Sequence, residues 1–253
     1  MKEIGYISLF AFDDSGCFID PEEIYSSPEE TEACRALAII DSTANNPGSS
    51  LYQSVSFPSE PNKQELQELI HDFSQNLIGE VHVIRKVEPQ VIMTYIGQKG
   101  NPGSPVGAPN DNQYVWKGKE VVGESLGYIS VSSEKPFTTP CSRIFATPLQ
   151  VEMYLAYMSF GMEDMKKFSN HFIAEVHFAR KTNPLVMEVL LKKAIDDSKR
   201  QGIGIRDMMD KMKLDYNTKV NKPGGGGLGC LGMLLIFLIG FVVVGAFTFF
   251  FVR

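Results

Sequence analysis

The chain has 253 residues, 43% hydrophobic and 21% charged, so one or two globular domains are expected and wholesale disorder is excluded. Four cysteines at irregular spacing exclude a disulfide scaffold and a Cys-rich zinc module. A net charge of −6 argues against general nucleic-acid binding, which needs a basic footprint.

In chain order, GYISLFAF from Gly5 predicts a strand. Asp13-Asp14-Ser15-Gly16 supplies turn chemistry, and Cys17-Phe18-Ile19-Asp20 can return as a partner strand. Ser27-Pro28-Glu29-Glu30 predicts a helix start, with Ser as N-cap, Pro in the first turn and acids against the positive helix end. Leu66, Leu69, Ile70, Phe73, Leu77, Val81 and Ile84 keep a 3.6-residue spacing, which predicts one helix running through the EVHVIRK stretch. That stretch read alone could be a strand, but both copies keep the helical period.

An internal duplication organises the chain. Phe73–Val91 and Phe168–Val186 share ten of nineteen residues, where chance gives about one. Upstream and in the same order, Gly5–Ser8 recurs as Gly127–Ser130, and Ile24–Pro28 (IYSSP) recurs as Ile144–Pro148 (IFATP). Thr147-Pro148 then plays the part of Ser27-Pro28. In the second copy Met158, Met162, Met165, Phe168, Phe172, Val176 and Ala179 again keep helical spacing, with Asn183 before Pro184 as a stop. LVMEVLLKKAIDDSKR predicts a further helix, and Gly202-Ile203-Gly204 a break after it. The expected layout is a first unit at 1–96, a Gly/Pro-rich linker at 97–113, a second unit at 114–200, a stalk with a Gly-rich joint at 201–227, and an anchor at 228–252. The expected class is α+β: two duplicated small sheet-plus-helix units followed by a C-terminal transmembrane helix.

The anchor is the clearest signal. Leu228 to Val252 is 25 residues without a charge, and includes Leu231, Leu234, Ile236, Phe241 and Phe247. As a helix it would be roughly 37 Å long, enough to cross a ~30 Å hydrocarbon core with tilt. Lys211, Lys213, Lys219 and Lys222 precede it and only Arg253 follows, so the positive-inside bias keeps the N-terminal part in the cytosol. MKEIGYISLFAFDD lacks the long apolar run of a signal peptide, and no Asn-x-Ser/Thr sequon occurs. The expectation is a tail-anchored single-pass protein of an endomembrane or the plasma membrane. Cys230 sits where acylation is chemically feasible. A weak Gly225/Gly229 pair gives little helix-dimer signal.

Charge separates the copies. Residues 1–96 carry a net −11 and residues 97–223 a net +4. The basic part adjoins the anchor, where an anionic leaflet favours it by about 1 kcal/mol per nearby cation.

Chemistry is sparse. There is no Gly-x-Ser-x-Gly, phosphate loop, dinucleotide fingerprint or His-Glu-x-x-His. Glu80, His82, Glu175 and His177 are the candidate metal ligands. On strands each Glu and His would share a face, and two copies could supply four ligands. On helices they would diverge by about 200 degrees. The reading adopted is a polar stripe kept since the duplication, with Arg85 and Arg180 as carboxylate partners, and no metal, cofactor or catalytic residue is assigned. Cys17 and Cys141 carry no motif.

The order strand, turn, strand, helix, with an anchor far downstream, is loosely similar in architecture to longin-domain SNAREs. The heptad helix which that family needs is interrupted by Pro184, Gly202 and Gly204, and only Ile205, Met208 and Met212 keep step. Membership is not inferred. The functional expectation is a membrane-anchored, non-enzymatic protein-interaction module in vesicle trafficking. Its partners would be the bilayer and a cytosolic protein, with no nucleic acid, and a homo-oligomer is compatible with it. The alternatives are a membrane-bound enzyme with a site between the two units, or a viral or structural envelope protein.

Overall fold

The computed structural model describes residues 2–12, 16–19, 23–53, 61–99, 120–133, 139, 143–158 and 170–220. Within these the class is α+β. The elements are β1 (Lys2–Phe12), β2 (Gly16–Ile19), α1 (Pro28–Ala44), α2 (Ser50–Gln53), α3 (Lys63–Ser74), β3 (Leu77–Lys86), α4 (Pro89–Lys99), β4 (Ser125–Ser132), α5 (Pro148–Met158), β5 (His171–Lys181), α6 (Pro184–Gln201) and α7 (Ile205–Val220). Four long strands and the short β2 form one antiparallel sheet in the order β2-β1-β3-β5-β4.

The described residues fall into two compact units, one drawn from 2–35 and 71–183, the other from 36–70 and 184–220. The first holds the sheet with α4 and α5, and both repeated blocks contribute to it. In the second, α6 and α7 bury Met187, Leu191, Ala194, Ile205, Met208 and Met209, and Lys213 on α7 pairs with Asp41. Glu65 on α3 accepts hydrogen bonds from the Ser50 backbone N–H, at 2.8 Å, and from the Ser49 and Ser50 hydroxyls.

Both EVH blocks are strands, which corrects the helical expectation. The misleading period has a physical origin. Leu77 and Val81 are four residues apart on one face of β3, and so are Phe172 and Val176 on β5, which an alternating strand permits as readily as a helix. A β-bulge then adds one residue at Ile84, between Val83 and Arg85, and another at Ala179, between Phe178 and Arg180. Even steps followed by a bulge reproduce spacings of four and three. The helical part of the first run ends at Ser74. Pro184 likewise does not stop a helix: it opens α6, as Pro89 opens α4.

The helix starts and the break behave as their residues dictate. Ser27 Oγ accepts from the Glu30 N–H at 3.1 Å. Thr147 Oγ1 accepts from the Gln150 N–H at 3.3 Å while Gln150 Oε1 accepts from the Thr147 N–H at 3.1 Å, a reciprocal capping box. Gly202, at φ +66°, ends α6 with its N–H on Ser198 O at 2.9 Å.

One face of the sheet carries Ile7, Leu9, Leu77, Val81, Ile129, Ala174, Val176 and Phe178, all buried. On the other face Ile173 packs with Val87, Ile92, Val151, Leu155 and Ala156, which seats α4 and α5 there. Among the described residues no helix is long and apolar enough to cross a membrane. The 228–252 segment, Cys230 and Cys141 lie outside the described residues.

Candidate functional site

The duplication becomes a two-fold arrangement about the central β3–β5 ladder. The register is Glu80↔His177, Val81↔Val176 and His82↔Glu175. Val176, Glu175 and His177 are the repeat counterparts of Val81, Glu80 and His82, so the axis passes between the two valines. The bulged residues Ile84 and Ala179 are counterparts as well. So are the hydrogen bonds Val87 N–H to His171 O and Thr182 N–H to Asn76 O, both 3.0 Å.

The outer strands obey the same symmetry, which explains why GYIS is repeated. Tyr6 exchanges two backbone hydrogen bonds with Tyr25, and Tyr128 with Phe145, at 2.8 to 2.9 Å. Beside each tyrosine a glycine, Gly5 or Gly127, adopts positive φ at a register shift. A Cβ on Gly5 would run into the Tyr25 carbonyl oxygen, so only glycine admits the close approach.

Glu80, His82, Glu175 and His177 therefore meet on one face, opposite the Val81/Val176 core face. Their side chains are 15–30% exposed. His82 Nε2 lies 3.0 Å from Glu80 Oε1 and His177 Nε2 lies 3.2 Å from Glu175 Oε2. The two imidazoles stack with centroids 4.7 Å apart and planes tilted by 30°. Tyr6 stands opposite Glu80, Glu3 opposite His82, Tyr128 opposite Glu175 and Ser125 opposite His177.

The copies differ in detail here. Ser125 donates its hydroxyl to Glu175 Oε1 at 2.6 Å, whereas the matching position in the first copy is Glu3. Burial pushes the Glu175 carboxyl up, but hydrogen bonds from Ser125, His177 and Tyr128 outweigh it and hold the group below its ordinary range. Burial raises both Tyr6 and Tyr128, reinforced by Glu80 and Glu3 for the former and by Glu175 for the latter.

The candidate metal ligands are thus brought together, but each Nε2 is engaged by the carboxylate of its own strand. Among the described residues no group of three or more His, Cys, Asp or Glu is arranged to hold a metal ion.

Arg85 and Arg180 do not serve these glutamates, contrary to the sequence reading. Each crosses to the helix of the other copy. Arg85 grips Glu152 on α5 with contacts of 2.7 and 3.0 Å, and Arg180 grips Glu32 on α1 with contacts of 2.9 and 2.7 Å. Both carboxylates are almost fully buried, at 1% and 2% exposure. Each also accepts a backbone N–H from the residue before a helix-opening proline: Glu88 to Glu152 at 2.8 Å, and Asn183 to Glu32. The carboxylate hydrogen bonds raise both guanidinium pKa values. Glu32 and Glu152 escaped sequence reasoning, although a signal was present: each stands four residues after its repeated proline, Pro28 or Pro148.

No protein-family model, curated protein or solved structure matches the chain.

Proposed function

We propose that the chain is a single-pass membrane protein, held through residues 228–252, whose duplicated head stands in the cytosol as a protein-interaction module, with vesicle trafficking as the natural setting. The observation that carries the reading is the run of 25 uncharged residues from Leu228 to Val252 with lysines on its N-terminal side only. The face around the two-fold axis supports a binding role for the head. Histidine and glutamate side chains are held on the central strands β3 and β5, with Tyr6 and Tyr128 on the flanking strands β1 and β4, and all still reach solvent. Tyrosine is enriched where proteins meet, because it offers a rigid apolar ring with a polar tip. Three glutamates on that face (Glu3, Glu80 and Glu175) favour a partner presenting basic or amide groups.

The test is alkaline carbonate extraction of the full chain, followed by proximity labelling compared with a chain ending at Lys222. The expected result is retention in the membrane pellet, with cytosolic neighbours labelled by the full chain and most of them lost from the shortened one. Release into the supernatant would overturn the membrane reading. An unchanged neighbour set after glutamine replaces Glu3, Glu80 and Glu175 would overturn the assignment of the binding face.

A further inference from the structure

The interface between the two copies has the form of a symmetric dimer interface. Each contact made by the first copy is returned by the second: Glu80↔His177 by His82↔Glu175, Arg85–Glu152 by Arg180–Glu32, and the Glu88 N–H on Glu152 by the Asn183 N–H on Glu32. An isologous interface of this kind recognises the complementary patch and carries no information about which chain supplies it. The copies are joined by the twenty residues 100–119, rich in Gly and Pro, and none of the contacts just named involves that connection.

We propose that the chain pairs with a second copy of itself by exchanging halves, so that residues 1–99 of each chain complete residues 120–220 of the other. The exchanged dimer rebuilds two copies of the Glu/His face, each with Glu80 and His82 from one chain and Glu175 and His177 from its partner. A connection of twenty residues rich in Gly and Pro sets an effective concentration of about millimolar between the two halves of one chain. The closed monomer is therefore favoured in dilute solution. Exchange gains wherever the connection is shortened or chains are crowded together. The inference stands apart from the membrane reading, because all the exchanged contacts lie between the copies.

The Val81↔Val176 pair on the axis supplies the test. Opposed residues in an antiparallel ladder have Cα atoms about 4.5–5.5 Å apart, within disulfide range. Two full-length chains with different tags are co-expressed with Cys17, Cys34, Cys141 and Cys230 replaced by Ser, one carrying Val81→Cys and the other Val176→Cys. They are then oxidised with diamide in detergent. The same-chain double variant Val81→Cys/Val176→Cys reports whether the pair can close.

The expected result is an interchain disulfide joining the two tags, above the background of two Val81→Cys chains. It should rise at least fivefold when residues 101–112 are deleted. Closure of the same-chain control with no interchain product at either connection length overturns the proposal. If the control fails to close, Arg85→Glu and Glu152→Arg chains are co-expressed instead. Their mixed dimer re-forms one swapped and one natural ion pair, so it should melt above either chain alone. Failure of the mixture to associate or to gain stability overturns exchange equally.

Discussion

His82 and His177 stack ring against ring with centroids 4.7 Å apart, and they are the same residue of the two copies. Each sits opposite the glutamate that precedes the other. A pair in this geometry contributes beyond its burial, by about 0.5–1.5 kcal/mol. A double-mutant cycle with His82→Ala and His177→Ala, followed by urea unfolding, should return a coupling energy in that range. Additive losses would show that the rings do not meet in solution.

The crossed arginine pairs should be the costliest polar contacts to break. Arg180→Ala strands the buried Glu32 carboxylate, and Arg85→Ala strands Glu152. Each should lose about 3 kcal/mol by urea unfolding, because removing one partner leaves an uncompensated buried charge. Glu32→Gln keeps the shape without the charge and should lose less than Arg180→Ala. Equal losses would show that charge is not what the contact depends on.

Acid should weaken the head in part through Glu175. Its carboxyl is held below the ordinary range in the folded chain. The stability it contributes is therefore complete above the unfolded glutamate value of about 4.3 and is lost as pH falls through the lower folded value. Glu65, lowered by hydrogen bonds from Ser49 and Ser50 that outweigh its burial, adds to the same limb. Glu175→Gln should flatten the decline in stability below about pH 5 relative to the parent chain. An unchanged acid limb would remove Glu175 from the account.

Glycine substitutions should rank by the space around each Cβ. Gly5→Ala combines positive φ with the Tyr25 carbonyl and should cost about 3 kcal/mol. At Gly79 a Cβ would come within 2.5 Å of Val176 Cγ1 and 3.1 Å of Leu9 Cδ1, so Gly79→Ala should cost about 1–3 kcal/mol. Gly48 meets only Asn46 Oδ1 at 3.5 Å, and Gly48→Ala should leave thermal stability close to that of the parent. A different order in the melting temperatures would contradict the packing around β1 and β3.

Ser27→Ala removes the acceptor for the Glu30 N–H and should cost about 1 kcal/mol of α1 stability. Ser27→Asp should restore it, since a carboxylate there accepts the same bond and meets the positive helix end. No recovery in Ser27→Asp would mean the loss arose elsewhere.

The sequence by itself determined what depends on neighbouring residues. Ser27-Pro28 and Thr147-Pro148 opened helices because capping and a fixed proline φ act over one turn. Gly202 ended one because only the residue at that position has to take positive φ. The duplication was legible as well, since identity needs no geometry. Tertiary structure alone decided the rest. Whether EVH is strand or helix depended on ladder partners far along the chain, and bulges at Ile84 and Ala179 gave the strand a helical rhythm. That Arg85 seeks Glu152 and Arg180 seeks Glu32, rather than the glutamates on their own strands, followed from the antiparallel pairing of β3 with β5. That pairing carries each copy's last strand to the other copy's helix, over a separation that no local pattern encodes.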